Sequence, residues 1–370
     1  MPDLRILSIF GTRPEAVKMA PILSRLRNNP GVESLVCVTA QHREMLDQVL
    51  GLFEIQPDFD LDLMRPNQSL AELTGAILKE LEPVLAKTKP DWILVQGDTT
   101  TVMAAALLSY YHHIRVGHVE AGLRTGDKWQ PFPEELNRRI AGVVADLHFA
   151  PTVQARNNLL QEGVRPESVL VTGNPVIDAL KTIAERPYDP AGGPLAEIPW
   201  ERRLILVTAH RRENFGRPLE NICQALREIA GTIENVQVVY PVHPNPNVLE
   251  PVKRLLGEVP NISLLDPLDY LPFIYLMKRS TMVITDSGGL QEEAPGLGKP
   301  VLVMRAVTER PEGVQAGTVR LVGTAVERIV AETRLLLEDR RAYEAMAKAV
   351  NPYGDGRAAV RIVDALLAAG

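Results

Sequence analysis

Short, continuous apolar runs alternate along this chain with segments whose apolar residues recur at helical spacing. Leu4–Phe10, Ser34–Thr39, Trp92–Gln96, Arg115–Val119 and Leu147–Ala150 read as buried strands, with helices such as Leu70–Ala86 and Thr101–Tyr111 between them. Strands that are apolar on both faces need cover on both faces, so the pattern predicts an α/β fold with a parallel sheet between helical layers. A second series starts near Val169 and runs through Leu204–Thr208, Val236–Tyr240, Ile262–Leu265, Met282–Thr285, Val301–Met304 and Val319–Val322. The domain boundary is expected near Gly173, giving domains over 1–172 and 173–356, with Pro187–Pro199 as a surface loop of the second. Thr12 with Glu15, and Thr324 with Glu327, have capping-box spacing. A last helix at about 357–369 offers Val360, Val363, Leu366 and Leu367 to a surface that must be covered.

Length and composition agree with this picture and narrow it. The 370 residues exceed one typical core and fit two domains, and 45% hydrophobic with 23% charged residues is a globular balance. A net charge of −6 argues against a nucleic-acid or membrane-surface partner. Arginines that bind phosphate must then act locally. No apolar run approaches a membrane span and Met1-Pro-Asp-Leu-Arg5 leads straight into a strand, so cytoplasmic residence is the expectation. Cys37 and Cys223 each sit in an apolar segment and read as small core residues; no metal-ligand spacing is present. Gly-x-Gly-x-x-Gly follows none of the strands, so a nicotinamide oxidoreductase is not expected.

Chemistry gathers where strands end. Met282–Ile284 is followed by Thr-Asp-Ser-Gly-Gly, Asp286 to Gly289 reads as a tight turn, and the helix from Leu290 carries Glu292 and Glu293 in its first turn. Adjacent glycines let a phosphate approach free N–H groups at a helix start, although an ordinary turn uses the same residues. Arg13 and Lys18 lie at or just inside another helix N-terminus, the end least favourable to cations, where an anion would explain them. Asp98, Glu120 and His210 each follow a strand. Singly, Asp98 serves as an N-cap, Glu120 as a partner of Arg124, and His210 as a satisfied histidine. Together, at the carboxyl ends of parallel strands, they are placed where an α/β cleft works. Glu134 and Glu135 open a helix after Pro131 and Pro133, Arg310 follows the Val301–Met304 strand, and His243 sits in a proline-locked loop.

Phe10-Gly-Thr-Arg-Pro-Glu-Ala, Thr39-Ala-Gln-His-Arg, Gln96-Gly-Asp-Thr-Thr-Thr, His118-Val-Glu-Ala-Gly-Leu-Arg, Thr208-Ala-His-Arg-Arg-Glu-Asn, Thr285-Asp-Ser-Gly-Gly-Leu-Gln-Glu-Glu, Thr308-Glu-Arg-Pro-Glu and Asn351-Pro-Tyr-Gly-Asp-Gly occur in this order over nearly the whole chain. This set resembles the bacterial non-hydrolysing UDP-N-acetylglucosamine 2-epimerases. The resemblance implies a glycosyltransferase-B-like fold, two Rossmann-like domains facing across a cleft, with the helix at 357–370 returning to the first domain. It implies a homodimer that interconverts UDP-GlcNAc and UDP-ManNAc. By the same likeness Asp98, Glu120, Glu134 and His210 are catalytic. Ser287, Gly288, Gly289 and Glu293 hold the UDP phosphates and ribose, with Arg13, Lys18 and Arg310 on phosphate and the Leu271–Phe273 segment, Phe273 included, on uracil. Gln41, Arg65, Arg211 and His243 match positions that bind a second UDP-GlcNAc as an allosteric activator in some members. Ala306-Val307 departs from the more polar pair of many members.

The C2 hydrogen of the sugar has no adjacent carbonyl to acidify it, so direct deprotonation would be very slow. Elimination of UDP to a 2-acetamidoglucal, then re-addition with a proton delivered to the opposite face of C2, needs general acid–base groups and a stabilised diphosphate. The carboxylates and the phosphate turn supply both. A glycosyltransferase of the same fold, or a nucleotide-sugar sensor without turnover, are the rival readings.

Overall fold

The computed structural model describes residues 3–40, 43–65 and 67–370. They form two compact α/β units, Met1–Ala179 with Tyr353–Gly370, and Leu180–Pro352. The first unit holds β1 (Leu4–Phe10), β2 (Val32–Val38), β3 (Phe59–Asp60), β4 (Trp92–Gln96), β5 (Arg115–Val119), β6 (Leu147–Ala150) and β7 (Val169–Val171). Their order is β3-β2-β1-β4-β5-β6-β7, and every neighbouring pair is parallel. Val169–Val171 therefore does not open the second series as the apolar pattern implied. It pairs with His148–Ala150 as the outer strand of the first sheet.

Burial on both faces explains the continuous apolar runs: Ile6, Leu7, Ile9 and Phe10 of β1 are all inaccessible. Leu73, Ile77 and Leu81, spaced by four on the helix Leu70–Thr88, pack with Leu7, Ile9, Ile93 and Val95. Each such side chain contributes roughly 1.5–3 kcal/mol by leaving water. Thr12 and Glu15 form their capping box at the start of the helix Arg13–Arg27. Thr324 and Glu327 do not: the helix Val326–Glu338 is preceded by Ala325, which places Glu327 at its second residue, too early to reach back. The helix Ala358–Ala368 packs on Arg13–Arg27 through a stripe phased differently from the expected one. Ile362, Val363 and Leu366 are buried, whereas Val360 is half-buried and Leu367 exposed. The Asp178 carboxylate accepts the N–H groups of Ala358 (3.1 Å) and Ala359 (2.9 Å), anchoring that helix to the segment just before residue 180.

The second unit holds β8 (Arg203–Thr208), β9 (Val236–Pro241), β10 (Ile262–Leu265), β11 (Met282–Thr285), β12 (Val301–Val303) and β13 (Val319–Leu321), in the parallel order β10-β9-β8-β11-β12-β13. Leu219, Ile222, Leu226 and Ile229 line one face of the helix Arg217–Thr232 and close the core over Ile205 and Val207. The Pro187–Pro199 stretch is more than a surface loop, because Leu195 and Ile198 are buried within it. Cys37 and Cys223 are free and buried, and burial pushes both thiols up to about 12. Among the described residues no helix is long and apolar enough to cross a membrane.

Strand order reverses between β1 and β4 in one sheet and between β8 and β11 in the other. The loops beyond the carboxyl ends of those strands are where open α/β sheets bind ligands. Asp98, His210, Arg211 and Ser287 to Gly289 fall at these strand ends, and Glu120 follows the neighbouring β5.

Candidate active site

In the first unit the loops after β1, β4 and β5 are tied together by buried polar contacts. Glu15 is almost fully buried and accepts from Gly11 N (2.9 Å), Thr12 N (2.7 Å) and Thr99 Oγ1 (2.7 Å). Burial raises its pKa against those hydrogen bonds. The helix Thr100–Tyr111 is capped by Thr99, so capping does not account for Asp98. Arg13 is half-buried as the first residue of its helix.

Asp98 stands 3.5 Å from Arg138, and its main-chain oxygen accepts from Asn137 Nδ2 at 3.0 Å. Burial raises its carboxyl to about 6; Arg138 opposes the rise, and the charges of Glu120 and Glu134 add to it. Asp98 thus lies within the field of both other carboxylates. Glu120 adopts a left-handed backbone (φ 65), an uncommon conformation for a residue with a side chain. Its carboxylate accepts from Lys18 Nζ at both oxygens (2.8 and 2.6 Å), from Asn174 Nδ2 (2.8 Å) and from Gln96 Nε2. The expected pair with Arg124 is not formed, because Arg124 is engaged by Glu162 at 2.8 and 2.7 Å.

Of the two carboxylates opening the helix Glu134–Val144, Glu135 is a wholly buried brace to Arg138 and Arg139 (both 3.1 Å) and Thr125 N (3.1 Å). Glu134 carries a buried oxygen, Oε2, with no hydrogen-bond partner. His118, buried beneath, contacts the Gly97 oxygen through Nε2 at 2.7 Å, and burial pulls its pKa down to about 4. A carboxyl that titrates near neutrality, set among two more carboxylates, is equipped for acid–base work.

In the second unit the helix Gly288–Gly296 begins two residues earlier than the sequence pattern indicated, which moves Glu292 and Glu293 into its second turn. Neither Gly288 nor Gly289 occupies the left-handed region, so a left-handed turn is not what these glycines are for. A Cβ on Gly288 would meet the Arg211 guanidinium at 3.5 Å. The preceding Ser287 makes no side-chain cap, so the N–H groups and positive dipole end of this helix are not satisfied by a cap. Gln291 Nε2 donates to Ser287 O (3.1 Å), Thr308 Oγ1 donates to Gln291 Oε1 (2.6 Å), and Arg310 N donates to Thr308 Oγ1 (3.0 Å). The Arg310 guanidinium pairs with the buried Glu292. Arg310 is thereby linked to the glycine turn. Arg305, itself buried, bridges Glu213 (2.6 Å) and Glu309 (2.7 Å) and joins the loops after β8 and β12; its guanidinium holds the Glu309 carboxyl down at about 2.

His210 and His243 stack with ring centroids 5.6 Å apart, and Asp286 lies 3.4 Å from His210 Nδ1. Burial lowers the His210 pKa, with Asp286 pulling the other way. Phe273 and Glu293 are half-buried on the helices Tyr270–Arg279 and Gly288–Gly296. Of the four positions matched to an activator site, Arg211 and His243 sit beside the glycine turn and His210, Arg65 is exposed in the first unit, and Gln41 lies outside the described residues. Sequence reasoning assigned no role to Gln96, Asn174, Asp286, Gln291, Glu292 or Arg305. Gln96 and Asp286 adjoin strand ends and carried a positional signal; Asn174 meets Glu120 across 54 residues and carried none.

The model of the family described as UDP-N-acetylglucosamine 2-epimerase matches residues 24–367. The chain belongs to that family. It is 57% identical to the UDP-N-acetylglucosamine 2-epimerase of Salmonella typhimurium over 98% of both chains. Among solved structures, a putative UDP-N-acetylglucosamine 2-epimerase from Listeria monocytogenes is 49% identical, with a TM-score of 0.94 over 99% of this chain and 96% of that one. The UDP-GlcNAc 2-epimerase from Neisseria meningitidis, solved bound to UDP-GlcNAc, is also 49% identical, with a TM-score of 0.87 over 99% and 100%. A glycosyltransferase of kitacinnamycin shares the fold at 12% identity and a TM-score of 0.67, over 100% of this chain and 99% of that one. The fold is that of the glycosyltransferase-B class, two parallel-sheet α/β domains.

Proposed function

We propose that this protein catalyses the reversible epimerisation of UDP-N-acetylglucosamine to UDP-N-acetylmannosamine without hydrolysis. The observation that carries the reading is the group of Asp98, Glu120 and Glu134 at the switch point of the first sheet, with one carboxyl raised to about 6. A sensor has no use for such a group, and a transferase needs one base rather than proton donors and acceptors for two faces of one carbon. A carboxylate takes the C2 hydrogen as the C1–O bond breaks, and the bonding electrons leave with UDP. The resulting 2-acetamidoglucal regains UDP at C1 while a carboxylic acid returns a proton to C2 from the opposite face. Lys18, Gln96 and Asn174 hold Glu120 for this task.

UDP departs into the second unit's set: the amides at Ser287–Gly289, with Arg310 and His210. Glu293 engages the ribose and Phe273 the uracil. Such fixed donors stabilise the developing diphosphate charge without reorganising. Arg211 and His243, beside the glycine turn, are the described second-unit positions that would serve a second UDP-GlcNAc as activator. The enzyme works in the cytoplasm as a homodimer; the dimer is supported by Tyr110, Tyr111, Leu136 and Val143, all exposed on the adjacent helices Thr100–Tyr111 and Glu134–Val144. Proton NMR of the purified protein with UDP-GlcNAc alone tests the reaction. UDP-ManNAc should form with no acceptor present. Free N-acetylmannosamine with UDP would instead mean a hydrolysing enzyme, and binding without conversion a transferase or sensor.

A further inference from the structure

Asp286 is inaccessible to solvent, and its two oxygens have different surroundings. Oδ2 accepts His210 N (2.9 Å), Arg211 N (2.9 Å) and Asn214 Nδ2 (3.0 Å), which fastens the chain after β8 to the end of β11. Oδ1 is buried, has no hydrogen bond of ordinary geometry, and faces His210 Nδ1 at 3.4 Å. A buried acceptor without a donor is costly. A proton on Nδ1 relieves that cost, whereas a lone pair on Nδ1 would oppose a lone pair on the carboxylate.

We propose that Asp286 is a positioning residue that holds His210 in the Nδ1–H tautomer, so that Nε2 is the nitrogen that meets the diphosphate. The charged and titratable groups around the ring are Asp286 at the end of β11, the neighbouring Arg211, and His243 stacked from the loop after β9. Burial, Arg211 and His243 favour the neutral ring; Asp286 favours the cation. A neutral ring offers Nε2 as a free lone pair. When the anionic diphosphate arrives, Nε2 takes a proton from solvent and donates a hydrogen bond to a phosphate oxygen, and Asp286 stabilises the imidazolium from the far side. The last step rests on His210 serving the diphosphate; the tautomer does not.

The test is the ring-nitrogen NMR spectrum of 15N-histidine-labelled protein near neutral pH, with His210 assigned by its loss in His210→Gln. The wild type should show Nδ1 protonated and Nε2 bare. In Asp286→Asn the amide oxygen still accepts the backbone N–H groups, but the NH2 group now faces Nδ1, so the proton should move to Nε2. The kcat should then fall at least about tenfold with KM changed less than about threefold, because the variant ring still donates from Nε2 but lacks the carboxylate that sustains its positive charge as the diphosphate departs. A wild-type ring protonated on Nε2 overturns the proposal, and that spectrum decides even where the variant fails to fold. An unchanged tautomer in a folded, slowed Asp286→Asn would reduce Asp286 to a loop brace and also overturn it. If the tautomers behave as stated and no UDP-GlcNAc is turned over by the wild type, it is the epimerase reading that falls.

Discussion

Replacing Asp98 by asparagine should abolish turnover and at the same time stabilise the first unit at alkaline pH. Asp98 is disfavoured as a carboxylate, chiefly by burial, and its pKa rises from the ordinary 3.8 to about 6. A group raised on folding contributes its stability below the unfolded pKa and loses it as pH rises through the folded one. Above about pH 6 the folded protein therefore carries an unfavourable charge that asparagine lacks. At about 1.4 kcal/mol for each pH unit between those values, the upper limit is about 3 kcal/mol. The side chain is 31% exposed, so solvent screening reduces the expected gain to about 1–2 kcal/mol. Arg138 keeps its pair with Glu135 in the variant. Chemical unfolding of the first unit should show this gain at pH 8 and about half of it at pH 5, since the unfolded carboxyl stays ionised there while the folded one is largely protonated. A variant less stable than wild type at pH 8, or equally stabilised at both pH values, would refute the electrostatic argument.

Gly288→Ala should fold, because Gly288 is not in the left-handed region and a Cβ meets only the guanidinium of Arg211 at 3.5 Å. The methyl group crowds the phosphate approach, so UDP affinity measured by calorimetry should fall at least about tenfold with little change in Tm. Glu292→Gln removes the charge that orients Arg310 and should raise KM about three- to tenfold in steady-state assays while leaving kcat nearly intact, the signature of lost ground-state binding. Ile229→Ala empties part of the second core, where Ile229 is inaccessible. A loss of about 2–5 kcal/mol in denaturant unfolding is expected, with UDP binding preserved under native conditions.

The architecture was legible because parallel strands covered on both faces leave a simple trace, a run such as Leu4–Phe10 with nothing polar to alternate. β3 left no such trace, being only Phe59–Asp60, two residues paired to Cys37 and Val38. The candidate positions were legible for the same topological reason: Gly97–Asp98, Glu120, His210 and the Ser287–Gly289 turn all follow strand ends. What failed was local pairing logic. Glu120 had Arg124 four residues away, yet the structure gives it Lys18 across 102 residues, because the helix after β1 starts at the same carboxyl edge of the parallel sheet at which β5 ends. The capping box at Thr324 failed by one residue of helix phase. Asp286, Asn174 and Glu292 act through contacts made by tertiary folding, 76, 54 and 18 residues away, which no local pattern encodes.

The central claim is that the bond to hydrogen at C2 is broken and remade on the enzyme. It is tested most directly by incubating the protein with UDP-GlcNAc alone in heavy water and following both sugars by NMR. The account predicts UDP-ManNAc carrying deuterium at C2, with deuterium appearing at C2 of recovered UDP-GlcNAc as the reaction reverses. Epimer formed with C2 protium fully retained would contradict proton transfer through the carboxylates, and neither epimer nor exchange, despite bound nucleotide, would contradict the activity itself.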